Sequence, residues 1–386
     1  MASVASHIKT RAAALVPADK LVVWTVLGLA ALGVVAVYSA ISFLAETKSG
    51  GDTELFLFRH LTRTGLALVA VGVFSTLDYR RLASLSKWLL AGALMLLAAV
   101  QVSGVVLGGA QRWLEVGGIS FQPSDFAKVA LILHVAVLLA KKQAYIEEFE
   151  RGFVPLMIWT VPTIALIGME DLSTAVILSA AVGTMLFVGR VRLLHLSGVA
   201  AVGLVAATLF LMASPQRAAR VESYLGLSLF DHTEEAEVFS SQAEGYQAKQ
   251  ARIAFAMGGL TGVGPGKSVQ RDFLPAPYND FIFAIVAEEY GLIGATLLLF
   301  AFVLLLFRGF LRIARQAPDP LGLFLAVGLT ATLVLYGFVN AGVASGLLPV
   351  TGLPMPFVSY GGTSLLATGV MAGLLLNVSR HADLSR

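Results

Sequence analysis

The chain contains no cysteine. Disulfides, thiolate metal sites and thiol nucleophiles are excluded together, and loops can face an oxidising compartment without covalent staples. Charge is scarce as well, at 13% of the 386 residues, against 57% hydrophobic residues and a mean hydropathy of +0.81. A soluble domain must wet its surface and does not reach such values. The composition is that of an all-α, polytopic integral membrane protein. A cleavage motif is also missing. The basic head, with Lys9, Arg11 and Lys20, leads into a long apolar segment with no small-residue site behind it, which reads as a retained first helix. No repeat of solenoid period and no appended soluble domain is visible, so residues 1–386 read as a single transmembrane domain.

What is present is a series of apolar runs. A spanning helix needs roughly 20 apolar residues, and about ten segments qualify: Leu21–Leu44, His60–Leu77, Trp88–Leu107, Phe126–Ala140, Phe153–Met169, Leu172–Val188, Leu194–Ala213, Phe281–Phe307, Leu321–Ala344 and Ser364–Val378. Alternating the loops gathers Arg80, Arg81 and Lys87, then Lys141, Lys142 and Arg151, then Arg190 and Arg192, then Arg308, Arg312 and Arg315, and finally Arg380 and Arg386 on the side of the N-terminus. The positive-inside rule makes that side cytoplasmic and both termini with it. The net charge of +3 matters less than this distribution, and no nucleic-acid partner is expected.

The long loop of about residues 214–280, before the eighth span, then lies outside and exceeds what a connection needs. Within it "YQAKQARIAFAMGG" repeats apolar residues at helical spacing beside Lys249 and Arg252, as an interfacial helix does. The following "GGLTGVGPGKS" shares the tail of a phosphate-binding P-loop, but Thr261 stands where that pattern needs its first glycine. Its glycines read as turn formers, and Lys267 as a cation that an anion can meet.

Three further outer motifs carry polar groups. In "GGAQRWLEVGGISFQPSDFAK" Pro123 suits a first helical position and Asp125 a first turn. Capping does not explain Lys128, a cation inside an apolar segment, with Arg112 and Trp113 just before it. Lys128 pairs structurally with Asp125 or an acidic residue on another helix, or it holds an anionic substrate, and these readings stay open. In "MEDLSTAVIL" Asp171 is a natural N-cap beside Glu170. "LPVTGLPMPFVSYGGTSLL" is rich in Pro and Gly at membrane depth, where irregular backbone survives only in a protein-lined or wet cavity. Ser359 and Tyr360 belong to that cavity or to a plain re-entrant turn.

"PAPYNDFIFAIVAEEYG" holds three carboxylates. On a helix Glu288 would lie roughly 12 Å deeper than Asp280 and about 80° round from it, with Glu289 on the opposite face. Glu288 and Glu289 are expected to be structural and to find basic or hydrogen-bonding partners among neighbouring helices. Asp280 opens the helix at the water interface, where it either caps the helix or acts as a general base at the edge of a cavity.

These motifs in this order resemble the SEDS family (shape, elongation, division and sporulation) over nearly the whole chain. "GAQRW", "FQPSDFAK", "DFIFAIVAEEYGLIG" and "PFVSYGGTSLL" carry the resemblance. The family usually has Glu at Asp125, "PDLG" in place of "EDLS" and "HTD" in place of "YND". The second departure weakens any carried-over role for Asp171, and the third removes a histidine beside Asp280.

The resemblance implies a ten-helix inverting glycosyltransferase. It would polymerise lipid II into β-1,4 glycan at the outer face of the cytoplasmic membrane, with a class B penicillin-binding protein as transpeptidase and other divisome or elongasome proteins as partners. Asp280 matches the family's essential acid and is assigned the base. Arg112, Gln122, Ser124, Asp125, Lys128, Lys267, Ser359 and Tyr360 are the implied substrate-binding positions. No cofactor is evident and no metal ligands are assigned, although a divalent cation such as Mg or Mn would supplement the cations. The loop sequence looks closer to division-type FtsW than to elongation-type RodA. The competing class is a lipid II flippase or transporter, but the inverted repeats and paired broken helices expected of one are not evident. A noncatalytic scaffold for the division machinery would have no need of Asp280.

Overall fold

The computed structural model describes residues 18–41, 53–107, 110–212, 224 and 235–381. Lys9, Arg11, Arg386, the end of the first segment at Leu44 and part of the long loop lie outside the described residues. Among the described residues eleven helices of four turns or more follow in order: α1 (Lys20–Ala40), α2 (Thr53–Thr76), α3 (Tyr79–Ser103), α4 (Pro123–Lys142), α5 (Val154–Glu170), α6 (Leu172–Val188), α7 (Leu193–Met212), α8 (Glu235–Gly258), α9 (Ile282–Phe307), α10 (Pro320–Ala344) and α11 (Thr363–Arg380). All but α8 answer to the ten apolar segments, one to one. Among the described residues eight are long and apolar enough to cross a membrane, while α6 is a shorter apolar helix. The helix read from "YQAKQARIAFAMGG" is the C-terminal part of α8, which buries Ala251 and Ala254. It packs so closely on α9 that a Cβ at Gly258 would strike the Ala287 carbonyl.

The termini of the helices follow ordinary capping chemistry. Asp19 accepts from the amides of Leu21 and Val22, Asp171 from those of Ser173 and Thr174, and Asp319 from that of Gly322. Pro123 opens α4. The third apolar segment ends sooner than expected. Gly104 is extended, and Val105–Leu107 forms a strand, β1, rather than the last turn of a helix. It pairs antiparallel with β2 (Ala110–Val116), which pairs with β3 (Ile119–Phe121). Gly117 and Gly118 both take positive φ, 61° and 80°, as a two-residue type I′ hairpin turn requires. The "GG" pair was the signal for this small sheet in an otherwise helical protein.

Ion pairs tie together one end of the bundle. Asp19 meets Arg308 at 3.0 Å and Arg312 at 3.8 Å. Asp319 takes Tyr79 Oη at 2.8 Å and Arg80 at 2.8 Å, and the Tyr79 amide donates to Asn377. The start of α1, the α2–α3 and α9–α10 turns and the end of α11 therefore share one end, the grouping that the charge alternation demands. Within the bundle α11 lies along α2, and Gly373 permits the approach, since a Cβ there would sit 2.8 Å from Phe74 Cβ.

Two departures from regular helix shape the opposite end. The segment between α10 and α11 is re-entrant: it descends until Phe357 and Val358 lie on Gly33 of α1, with Phe357 in a left-handed conformation. The second departure was not expected from the sequence. Gly291 breaks α9 with φ 66° and ψ −166°.

Candidate functional site

The site is at the end away from the Asp19 and Asp319 ion pairs, where α4, α10 and the re-entrant segment meet. Lys128 and Asp125 stand three residues apart on α4, are both buried, and pair at 2.7 Å. The structural-pair reading of Lys128 is therefore realised, with Asp125 as the partner. The other carboxylate oxygen of Asp125 takes the Thr363 hydroxyl at 2.6 Å, and that hydroxyl accepts the Gln122 amide at 3.2 Å. Ser124 is buried beside them. The Lys128 ammonium also lies 4.7 Å from the centre of the Tyr336 ring on α10, a cation–π contact in a desolvated setting.

From Tyr336 the polar chain runs on toward β2. Tyr336 Oη meets Thr174 Oγ1 at 3.3 Å, Thr174 donates to Asp171 at 3.0 Å, and Asp171 meets Arg112 at 3.5 Å. Asp171 thus caps α6 and holds Arg112 with the same side chain, which explains its burial. Glu170 sits alongside, accepting from Gln101 at 3.5 Å. The structure brings Arg112, Gln122, Ser124, Asp125 and Lys128 into one connected region.

Asp280 is half-buried on the segment leading into α9. It is not at the cap position of that helix, which falls to Phe281. The capping reading of Asp280 is overturned because the chain turns one residue later than the polar-to-apolar boundary indicated. Its backbone is held instead. Asn340 of α10 donates to the Asp280 carbonyl at 3.0 Å and to that of Leu353 at 2.7 Å. Ser359 donates to Asn279 O at 2.7 Å while accepting the Met355 amide at 2.7 Å. The Tyr360 amide donates to Tyr278 O at 2.8 Å.

The Tyr360 ring is backed by His60, stacked at 5.5 Å, by the edge of Tyr278 at 5.6 Å and by the Arg63 guanidinium at 5.0 Å. Ser359 and Tyr360 are thus the brace for the Asp280 segment. Burial raises the Tyr278 phenol above its ordinary range, and the Asp280 carboxylate and Tyr360 raise it further. A small cavity opens between these parts, lined by Lys128, Tyr336, Met355, Ser359, Ser364 and Thr368.

Lys267 lies elsewhere. It is exposed in the glycine-rich loop, with its amide on Gly264 O, and among the described residues nothing joins it to Lys128 or Arg112. Glu288 and Glu289 are both buried and hydrogen-bonded, Glu289 to the neighbouring helix α1 as expected and Glu288 to the glycine-rich loop rather than to a helix. Glu288 accepts from Ser268 Oγ at 2.5 Å, Val269 N at 2.9 Å and Gln270 N at 3.2 Å, all in that same loop. Glu289 accepts from Ser39 Oγ of α1 and from Ser268 N.

Tyr336, Asn340 and Thr363 were missed from the sequence. Asn340 had a signal, since an amide inside the Leu321–Ala344 run needs a partner for its hydrogens. Among the described residues no group of three or more His, Asp or Glu side chains is arranged to hold a metal ion.

Residues 19–384 match the FtsW/RodA/SpoVE family model, described as a cell cycle protein. Over 368 residues the chain is 38% identical to Stage V sporulation protein E of Bacillus subtilis, spanning 94% of this chain and 97% of the relative. It is 37% identical over 365 residues to the probable peptidoglycan glycosyltransferase FtsW of Geobacter metallireducens, spanning 94% of each. A chain from a solved peptidoglycan synthase complex, described as structurally coordinating polymerization and crosslinking, matches with a TM-score of 0.73 and 29% identity, over 94% of this chain and 98% of that one. The rod shape determining protein RodA of Thermus thermophilus matches with a TM-score of 0.68 and 29% identity, over 94% and 97%. With the family model matched over residues 19–384 and relatives 37–38% identical over 94% of its length, the chain belongs to the FtsW/RodA/SpoVE family, the SEDS family that its sequence resembles.

Proposed function

We propose that the chain is a peptidoglycan glycosyltransferase that polymerises lipid II into β-1,4 glycan at the outer face of the cytoplasmic membrane. The observation that carries the residue assignment is the common support of Asp280 and Lys128. Asn340, which holds the Asp280 carbonyl, and Tyr336, which lies under the Lys128 ammonium, are four residues apart on α10. The backbone of the residue that carries the base and the buried cation are thereby supported from one helix face, by side chains about 6 Å apart along its axis.

In the proposed reaction the 4-hydroxyl of a GlcNAc attacks C1 of the MurNAc on a second lipid-linked unit. The hydroxyl proton passes to Asp280, the bond from C1 to the diphosphate oxygen breaks, and undecaprenyl diphosphate leaves with inversion. Lys128 and Arg112 supply positive charge for the departing diphosphate. Mg or Mn brought in with the diphosphate would add to that charge. Gln122, Ser124 and Asp125 line the same region, Ser359 and Tyr360 hold the base, and Lys267 meets anionic groups at the surface of the outer loop. The Lys and Arg alternation supports placing this end outside and both termini in the cytoplasm.

A class B penicillin-binding protein would crosslink the product as partner, and the division-type loop sequence favours septal synthesis. The test is purified protein with labelled lipid II, with and without its transpeptidase. Glycan polymer is expected from the parental chain and none from Asp280→Asn. A parental chain that binds lipid II and yields no polymer under either condition overturns the enzymatic reading.

A further inference from the structure

The break in α9 separates two tasks that one straight helix would have to share. Gly291 interrupts the helix with a dihedral pair that only glycine adopts readily. The first stretch, Ile282–Tyr290, is therefore not aimed by the longer part that follows. Something else must aim it, because it carries the segment on which Asp280 sits.

The glycine-rich loop supplies that support. Val263 and Gly264 donate to the carbonyls of Glu288 and Glu289 at 3.0 Å each, and the amides of Leu292 and Ile293 donate to Gly259 and Leu260 across the break. The approach is close enough that a Cβ at Gly262 would strike the Glu289 carbonyl. Glu288 then closes the arrangement. Its carboxylate gathers Ser268 Oγ, Val269 N and Gln270 N, and Ser268 Oγ in turn accepts the Arg271 amide. Arg271 reaches over to Ser39 O of α1 at 3.2 Å and Gly266 O at 3.0 Å. Residues 268 and 288 are joined, so Asp280 lies on a closed loop whose two ends meet at one buried carboxylate. Closing a loop of this length removes much of its conformational freedom. A carboxylate without a cation is costly to bury unless amides and hydroxyls satisfy it, and here three donors converge on Glu288.

We propose that Glu288, through its clasp on Ser268, Val269 and Gln270, is a positioning residue that sets where the Asp280 carboxylate sits. The inference rests on the glycosyltransferase reading for its kinetic consequence, but not for its geometric one. The Asn340, Ser359 and Tyr360 bonds hold one side of the segment, and the clasp holds the other. Glu288→Ala opens the loop. Glu288→Gln keeps an acceptor for the two amides and turns its own amide toward Ser268 Oγ, which can accept it.

Two measurements on the full-length, membrane-embedded protein test this. In polymerisation assays Glu288→Ala is expected to lower kcat on the order of 10²-fold, the scale of a misplacement of about 1 Å, while KM for lipid II stays near parental and Glu288→Gln recovers most of the rate. Ser268→Ala is expected to lose less, and its effect should not add to that of Glu288→Ala, because both remove one contact. Since the chain has no cysteine, a nitroxide on Phe273→Cys, an exposed position within the closed loop, reports the clasp without reference to activity. Its spectrum should sharpen in Ser268→Ala and in Glu288→Ala. Unchanged nitroxide mobility in Ser268→Ala overturns the clasp, even where Glu288→Ala fails to fold. Mobility that rises while kcat stays parental overturns the positioning role. Rising mobility in a parental chain that makes no polymer would leave the clasp standing and sink the glycosyltransferase reading instead.

Discussion

Tyr336 and Asn340 stand one turn apart on α10, so the ring under the Lys128 ammonium and the amide that holds the Asp280 carbonyl share one helix face. Neither residue carries charge. Between them they relate the base of the proposed reaction to its cation, and movement of α10 at this point would move both.

Asn340→Leu removes the donor for two carbonyls, those of Asp280 and Leu353, and leaves them in a desolvated setting. The expected loss of stability is about 1–3 kcal/mol. Polymerisation should fall further than stability alone explains, because the Asp280 segment loses one of its supports. Thermal unfolding in detergent and lipid II turnover, measured on the same preparation, check the two effects, and a parental rate would refute the link.

Asp280→Asn tests the chemistry while keeping the side chain's size and the backbone bond to Asn340. The amide cannot take up the hydroxyl proton, and the expected loss of rate is about 10²- to 10⁴-fold. Unfolding temperature and transpeptidase binding should stay near parental. Polymerisation at the parental rate would remove Asp280 from the mechanism.

Lys128→Met leaves the Asp125 carboxylate buried without its cation, and breaking such a pair costs about 3–5 kcal/mol. The double variant Lys128→Met, Asp125→Leu removes both charges and should regain most of that stability. Polymerisation should remain absent in both. A double variant that is stable and fully active would show that the pair serves structure alone.

Sidedness is checked with single cysteines in this cysteine-free chain. Leu347→Cys, exposed after α10, should react with an impermeant maleimide in spheroplasts. Tyr145→Cys, exposed after α4, should react only after the membrane is permeabilised. The reverse pattern would invert the orientation and place the site in the cytoplasm.

By itself the sequence determined the class of protein and the order of its spans. Apolar runs of helix length leave a backbone in lipid few alternatives to helix, and each run is a local property of consecutive residues. Arg308, Arg312 and Arg80 marked one end of the bundle in the same way, because charge per loop can be counted without knowing the packing. The carboxylates and cations of the site were visible as polar residues out of place, Lys128 most plainly. Their partners were not. Lys128 could be seen to need a counter-ion, with Asp125 one turn before it as one candidate, but the Tyr336 ring beneath it depends on how α4 meets α10. The support of Asp280 by Asn340, Ser359 and Tyr360 joins positions 60 to 82 residues apart, and no local pattern encodes such a contact. The break at Gly291 and the clasp on Glu288 were hidden for the same reason. A glycine in an apolar run reads as a tolerated helical residue, and only the loop packed against it, with amides aimed at the exposed carbonyls, makes the interrupted conformation the one with its hydrogen bonds satisfied.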